Sequence, residues 1–187
     1  MHQESQLIDL AAKGDHAAFT SLVELHQDRL FASMLQVTGS PDEAEEVVQE
    51  AFIRAFVKLE TFQGQSQFFT WIYRIAFNAA LSRKRRQRIK VSLDQLRDSG
   101  GTELVIDQQA ADEPLLQRER VDAVRRALRG LSEDHRAILV LREMEGFSYE
   151  EIAAIAQISI GTVRSRISRA RAQLKILLES SDESPED

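Results

Sequence analysis

Apolar residues recur along this chain at three- and four-residue steps, the spacing that gathers side chains on one side of an α-helix. Between Asp15 and Val37 the recurring set is Phe19, Leu22, Val23, His26, Leu30, Met34 and Val37, and Gly39 ends it. A second start follows at once. Ser40 is placed to cap a helix, Pro41 suits its first turn and Glu43 completes a capping box. Behind it Ala44, Val47, Val48, Ala51, Phe52, Ala55, Phe56 and Leu59 form one apolar stripe. A short loop holding Gly64 leads to a further helix from about Phe68. Helical pattern returns near Leu115 with Val121, Val124 and Leu128, breaks at Gly130 and restarts at Ser132. The two-residue alternation of strands is nearly absent, and no internal repeat is visible.

Periodicity fails between Val91 and Pro114, where Asp94, Asp98, Glu103, Asp107, Asp112 and Glu113 face a single Arg97 beside Gly100-Gly101. So long an acidic stretch reads as a tether between domains. The tail from Glu179 to Asp187 is acidic and ends Ser184-Pro185-Glu186-Asp187, the composition of a disordered segment. The expected architecture is all-α: two small helical domains, residues 1–90 and 115–178, joined by an acidic flexible linker at 91–114 and followed by a disordered tail at 179–187.

Composition narrows the classes. With 187 residues, 43% hydrophobic and 29% charged, there is material for a core, which excludes a disordered or fibrous chain. The absence of cysteine excludes disulfide scaffolds, thiolate metal sites and cysteine nucleophiles. No apolar run approaches the roughly 20 residues that span a bilayer. The N-terminus has neither the basic start nor the apolar stretch of a signal peptide. The expectation is a soluble cytoplasmic protein without membrane insertion.

The net charge of −6 conceals its distribution. Arg83 to Lys90 holds six basic residues and Thr162 to Lys175 five, with no acid in either run. Those eleven leave 13 basic against 30 acidic residues elsewhere, a remainder of −17. Two concentrated cationic patches on an acidic body point to a polyanion contacted at two places. Either patch alone would pass for a solvated helix face.

Ser148 to Arg171 reads SYEEIAAIAQISIGTVRSRISRAR. Ser148 and Glu151 form a capping box, Ile152, Ala153 and Ala156 make a buried face, and Ser159 caps a second helix with Val163, Ile167 and Ala170 inward. This is the pattern of a helix-turn-helix, whose second helix exposes Thr162, Arg164, Ser165, Ser168, Arg169 and Arg171 toward base edges and phosphates of a major groove. Such a turn often uses glycine where the backbone goes left-handed, and Ala156-Gln157 supplies none; Gln157 in that conformation costs some stability without forbidding the fold.

In the N-terminal half, five of the twelve aromatics fall between Phe62 and Arg74, beside the cationic helix. Rings beside a basic track suit unstacked single-stranded bases. The alternative is that Phe68, Trp71 and Ile72 are core; Trp71 is read as core, and the polar loop Gln63–Gln67 as the contact with an extruded base. The helix after Ser40 presents Asp42, Glu43, Glu45, Glu46, Gln49 and Glu50. Such acids favour a helix N-terminus, and on a DNA-binding protein they also offer a dock for a basic partner.

These residues carry a family resemblance over roughly Ala18 to Leu178. Asp42-Glu43-Ala44-Glu45-Glu46-Val47-Val48-Gln49-Glu50-Ala51-Phe52, Thr70-Trp71-Ile72-Tyr73-Arg74-Ile75-Ala76-Phe77-Asn78, Leu141-Arg142-Glu143 with Gly146-Phe147-Ser148-Tyr149-Glu150-Glu151-Ile152-Ala153, and Gly161-Thr162-Val163-Arg164-Ser165-Arg166 occur in the order seen in extracytoplasmic-function (ECF) sigma factors of bacterial RNA polymerase. The resemblance implies that Asp42, Glu45, Glu46, Gln49 and Glu50 dock on the clamp helices of core RNA polymerase, with the second domain on its flap. It implies that Phe62, Gln63, Gly64, Gln65, Ser66, Phe68, Trp71, Arg74, Asn78, Ser82, Arg83, Arg85 and Arg86 serve recognition of melted −10 DNA. For −35 duplex it implies Arg142, Thr162, Arg164, Ser165, Ser168, Arg169 and Arg171. Promoter DNA, core polymerase and an anti-sigma factor are the implied partners, and no cofactor is implied. Similar proteins usually carry an acid at Gln65, Asp or Asn at Ser82, and a larger residue at Ser168, which leaves the base preferences open. The absence of a long extension after Leu178 argues against subfamilies with an added regulatory domain.

An enzyme is disfavoured. There is no Gly-rich phosphate loop ending in Lys-Ser/Thr, and the four histidines (2, 16, 26, 135) form neither HExxH nor a di-iron spacing. A stand-alone helix-turn-helix regulator would account for the C-terminal half alone.

Overall fold

The computed structural model describes residues 2–94 and 115–182, with side chains at 3–86 and 121–180. Most of the expected acidic linker and residues 183–187 of the tail lie outside the described residues. The chain divides into two compact units, within Met1–Leu96 and Arg97–Asp187, and every regular element among the described residues is helical.

The first unit holds α1 (His2–Ala12), α2 (His16–Thr38), α3 (Pro41–Lys58) and α4 (Phe68–Asp94). The periodic reading did not anticipate α1. Among the described side chains of α1 only Ala11 is buried, with Leu7, Ile8 and Ala12 half-buried, too few for a clear period, and His26 Nε2 meets Glu4 Oε1 at 2.9 Å. Asp15 caps α2 by accepting from the N–H groups of Ala17 and Ala18 at 2.9 and 3.1 Å. Gly39, at φ +78°, closes α2 with a bond to the Leu35 carbonyl. Ser40 accepts from Glu43 N–H at 3.4 Å as expected, but the capping box is corrected to a single cap, since the Ser40 N–H donates to Thr38 Oγ1 at 3.3 Å.

Helix α3 sits between α2 and α4. Ala44, Ala51, Ala55, Ala76, Ala79 and Ala80 are all at most 1% exposed, and such small side chains let helix backbones approach closely. Leu22, Leu30, Met34, Val47, Ile72 and Tyr73 complete a fully buried core, each large side chain contributing about 1.5–3 kcal/mol by leaving water. One polar pair lies inside it: Ser33 Oγ and Tyr73 Oη are 2.8 Å apart, joining α2 to α4. Lys84 belongs to the basic run, yet its Nζ donates to the Thr38 carbonyl at 2.9 Å and so caps α2.

The second unit holds α5 (Leu115–Gly130), α6 (Glu133–Leu139), α7 (Tyr149–Ala156) and α8 (Ile160–Asp182), with a π-turn at Val140–Met144. Gly130 packs where an added Cβ would lie 3.2 Å from Leu177 Cδ1. Helix α4 runs four residues beyond 90, and α8 runs through residues 179–182, which the acidic composition had assigned to the tail. Val124, expected on the apolar stripe, is 42% exposed.

The capping box of α7 is present: Glu151 N–H donates to Ser148 Oγ at 3.1 Å and Ser148 N–H to Glu151 Oε2 at 2.8 Å. Its buried face is corrected to Ile152 and Ile155, with Ala153 and Ala156 half-buried. Gln157 adopts φ 56°, ψ 43°, the left-handed conformation in a turn without glycine. Ser159 Oγ then accepts from Thr162 N–H at 3.1 Å, and Val163, Ile167 and Ala170 are buried as expected.

Candidate nucleic-acid interface

Helix α8 presents its chemistry along one outer face. Arg164, Ser165, Ser168 and Arg169 are exposed because Val163, Ile167 and Ala170 hold the opposite face in the core. Neither Arg164 nor Arg169 has an ion-pair partner among the described residues. The other residues expected there are engaged within the unit. Thr162 is half-buried, its hydroxyl 2.8 Å from Ser159 Oγ. Arg142 is half-buried, donates to the Phe147 carbonyl at 2.8 Å and lies 5.2 Å over the Tyr149 ring. Arg171 donates from Nε and Nη2 to Glu143 Oε1 at 3.0 and 2.6 Å. This hydrogen bond and charge raise its guanidinium above the usual arginine value. Arg166 meets Asp134 at 3.3 Å.

In the first unit, Trp71, Arg74, Asn78, Ser82 and Arg85 follow three- and four-residue steps and so share one side of α4. Arg74, Ser82, Arg85 and Arg86 are exposed; Trp71 and Asn78 are half-buried. Asn78 Nδ2 donates to the Arg74 carbonyl at 2.8 Å. The loop preceding α4 exposes Gln63, Gly64, Gln65 and Ser66. Gln65 Nε2 donates to Gln63 Oε1 at 3.0 Å. Gly64, at φ +66°, has open space around it, so the backbone angle rather than crowding calls for glycine there.

Half-buried Phe62 anchors the loop, with ring centroids 5.8 Å from Phe68 and 5.2 Å from Trp71. Phe68 is 2% exposed. That corrects its expected place among the base-reading residues: it is the floor on which the loop rests.

The acidic side of α3 is adjacent. Asp42, Glu45, Glu46 and Gln49 are exposed and Glu50 half-buried. Arg83, expected on the DNA-facing track, instead pairs with Glu46, and its Nη1 lies 3.7 Å from Glu50 Oε2; Glu50 also pairs with Arg54. Beside Glu45 and Gln49 lies a cavity of about 800 Å³ between α2 and α3, lined in part by Phe19, Phe31 and Phe56. Ile53 and Val57 on its rim are 60% and 76% exposed. Sequence reasoning missed this apolar patch, although Ile53 and Val57 stand outside the buried stripe of their helix and were a legible signal. Among the described residues no three histidine or carboxylate groups converge as metal ligands, and no helix is long and apolar enough to cross a membrane.

The sequence matches "Sigma-70 region 2" over residues 22–89 and "Sigma-70, region 4" over residues 122–174. It is 38% identical over 174 residues to the RNA polymerase sigma-H factor of Pseudomonas aeruginosa, covering 90% of each chain. It is 40% identical over 172 residues to the ECF RNA polymerase sigma-E factor of Escherichia coli, covering 88% of each. Among solved structures it is similar to the sigma factor RpoE of Bartonella quintana in complex with the anti-sigma factor NepR. That match has TM-score 0.71 and 30% identity over 86% of this chain and 96% of that one. It is also similar to CnrH in complex with the cytosolic domain of CnrY, with TM-score 0.65 and 26% identity over 97% and 99%. Two helical units in this order, matched over nine-tenths of the length of its relatives, place the chain in the sigma-70 family: it belongs to the ECF sigma factors of bacterial RNA polymerase.

Proposed function

We propose that this factor lends polymerase two DNA readers and one protein dock, with no covalent chemistry of its own. The observation that carries this reading is a segregation of charge. The exposed stripe of α8 and that of α4 are cationic or hydroxylic, whereas the first half of α3 exposes the acids Asp42, Glu45 and Glu46. Acids repel phosphate and attract a basic protein surface, so one molecule can hold the enzyme and its template with different faces.

On α8, Arg164, Ser165, Ser168 and Arg169 read −35 duplex. Arg142 and Arg171 support that surface from their contacts with Phe147, Tyr149 and Glu143, reaching phosphate when those contacts exchange. On α4 and its loop, Gln63, Gly64, Gln65 and Ser66 receive an extruded base. Trp71, Arg74, Asn78, Ser82, Arg85 and Arg86 track the single strand, and Phe62 and Phe68 hold the loop in shape. Asp42, Glu45, Glu46, Gln49 and Glu50 dock on the clamp helices of the core enzyme, and the second unit lies on its flap. Each captured base is worth about 1–3 kcal/mol, so a few offset the cost of unstacking and bias local opening.

The factor works in the cytoplasm. One solved structure it is similar to pairs a sigma factor with an anti-sigma factor; an anti-sigma factor likewise binds this chain and restrains it by covering surfaces that polymerase needs.

In vitro transcription on a cognate promoter tests the division of labour. Arg169→Ala weakens −35 binding, and Asn78→Ala impairs opening while sparing −35 contact; unchanged transcription by both variants refutes the assignments. Reversing the charges of Asp42, Glu45 and Glu46 abolishes co-elution with core polymerase on a sizing column. Tight, sequence-specific duplex binding by the free chain would favour a stand-alone helix-turn-helix regulator instead.

A further inference from the structure

Arg83 stands in the cationic run of α4 yet spends its charge on α3, pairing with Glu46 and lying 3.7 Å from Glu50. Its neighbours in the run behave differently. Lys84 caps α2, and Arg85 and Arg86 are exposed and form no ion pair with α3 among the described residues, with Arg86 Nε donating to the Ser82 carbonyl of its own helix at 3.3 Å. Arg83 is therefore the residue of the described run where the dock and the DNA track share a charge. We propose that Arg83 couples the two: Glu46 and Glu50 hold it in the free factor, and it passes to the DNA backbone once polymerase cations take those carboxylates. This rests on the reading of the α3 face as the polymerase dock.

The physical case lies in the exposure of the pair. The Arg83 side chain is 36% exposed, Glu46 56% and Glu50 27%. An ion pair so wet is worth about 0–1 kcal/mol, weak enough for an incoming partner to exchange without unfolding anything. Glu50 has a second cation in Arg54, so losing Arg83 does not strand it. Both helices are fixed by the alanine-rich contact beneath them, and only the guanidinium need move. Binding free energies at linked sites are reciprocal: if docking frees Arg83 for phosphate, DNA held by Arg83 also clears Glu46 and Glu50 for polymerase.

Two measurements on the full chain test this. First, core-polymerase affinity at low salt is compared for the parent, Arg83→Ala and Glu46→Gln. Arg83→Ala removes the internal competitor and tightens core binding by up to about fivefold, the limit set by an exposed pair; Glu46→Gln weakens it. Second, the salt dependence of binding to a labelled mixed-sequence single strand is taken for the free chain and for holoenzyme. One lost phosphate contact lowers the log–log slope by about 0.7 for single strands. Arg83→Ala gives that drop in holoenzyme and leaves the free chain unchanged.

An equal drop in both states makes Arg83 a standing phosphate contact and overturns the coupling. Weaker core binding by Arg83→Ala overturns it as well, because the arginine would then be organising the dock. If Glu46→Gln and Glu50→Gln together leave core binding intact, the docking assignment itself fails. If they weaken it while Arg83→Ala changes neither measurement, the coupling alone fails.

Discussion

Gln157 offers a perturbation whose size follows from one pair of angles. At φ 56°, ψ 43° it is the one non-glycine residue with positive φ among those described. It follows the last turn of α7, where its N–H and that of Ile158, at 3.1 Å, both donate to the Ala153 carbonyl. An L-residue there carries about 1–2 kcal/mol of local strain. Gln157→Gly removes that strain but gives the unfolded chain more freedom, a loss of about 0.4–1 kcal/mol. The net gain is about 0.5 kcal/mol. Gln157→Asn keeps the unfolded state similar and tolerates the left-handed region better, so its gain is about 0.5–1 kcal/mol. Gln157→Val is a genuine outlier at this angle and costs at least about 1 kcal/mol.

Because Gln157 is exposed, packing does not confound the series. For a domain of this size 1 kcal/mol moves the midpoint by about 4–8 °C. Calorimetry of the full chain therefore resolves upward shifts of about 2–4 °C for Gly and somewhat more for Asn, and a downward shift for Val. The transition of the second unit is recognised by its fall in Ile152→Ala, a fully buried position. If Gly and Asn both fail to raise it, or Val matches the parent, the turn is not strained and the reasoning is wrong. Duplex reading by α8 is unchanged in the Gly and Asn variants, since the turn keeps its shape.

Tyr73→Phe withdraws the buried partner of Ser33 and costs about 1–3 kcal/mol in urea unfolding, part of which returns when Ser33→Ala is added. Ser148→Ala removes the oxygen that receives Glu151 N–H and costs about 1 kcal/mol, read as an earlier unfolding midpoint of the second unit. Arg164→Ala and Arg169→Ala each lower the salt slope of holoenzyme binding to −35 duplex by about 0.9; the same substitution at Arg171, already held by Glu143, changes it less. Arg171 is shifted upward, so its stabilising charge is present below the unfolded arginine value and is lost only as pH rises through the still higher folded one. Denaturant titrations of parent and Arg171→Ala between about pH 6 and 9 therefore differ by a constant amount.

Which features were legible depended on range. The caps at Ser148, Ser159 and Gly39 and the inward set Val163, Ile167 and Ala170 rest on residues three or four apart, and the structure carries each of them. The left-handed Gln157 was legible because a sharp turn without glycine leaves few alternatives. Helix α1 was not, because one buried and a few half-buried apolar positions make no period and its place depends on Glu4 meeting His26, 22 residues away. Ile155 displaced Ala153 and Ala156 from the buried face of α7 because the helix's rotation against α8 decides which side is inward.

The sequence by itself determined the helical class, the two-unit order, the family and the separation of an acidic face from two cationic ones. The class, the order and the charge separation follow from local spacing, capping chemistry or composition, and the family from the resemblance of its ordered motifs; none needs distant residues to meet. Tertiary structure alone decided the assignment of individual charges. Six cations in one run look equivalent on paper, yet Lys84 closes α2, Arg83 answers Glu46 and Glu50, and Arg85 and Arg86 stay exposed. The same holds for Arg142 and Arg171, turned to Phe147 and Glu143, and for Phe68, placed beneath the loop it was expected to line. The reason is geometric: a charge or a ring is spent on whatever lies within a few ångströms of its tip. The partners of Lys84, Arg83 and Arg171, 28 to 47 positions away, become neighbours only when the helices pack, while Arg142 and Phe68 meet residues five and six positions away only through the path of the turns between them.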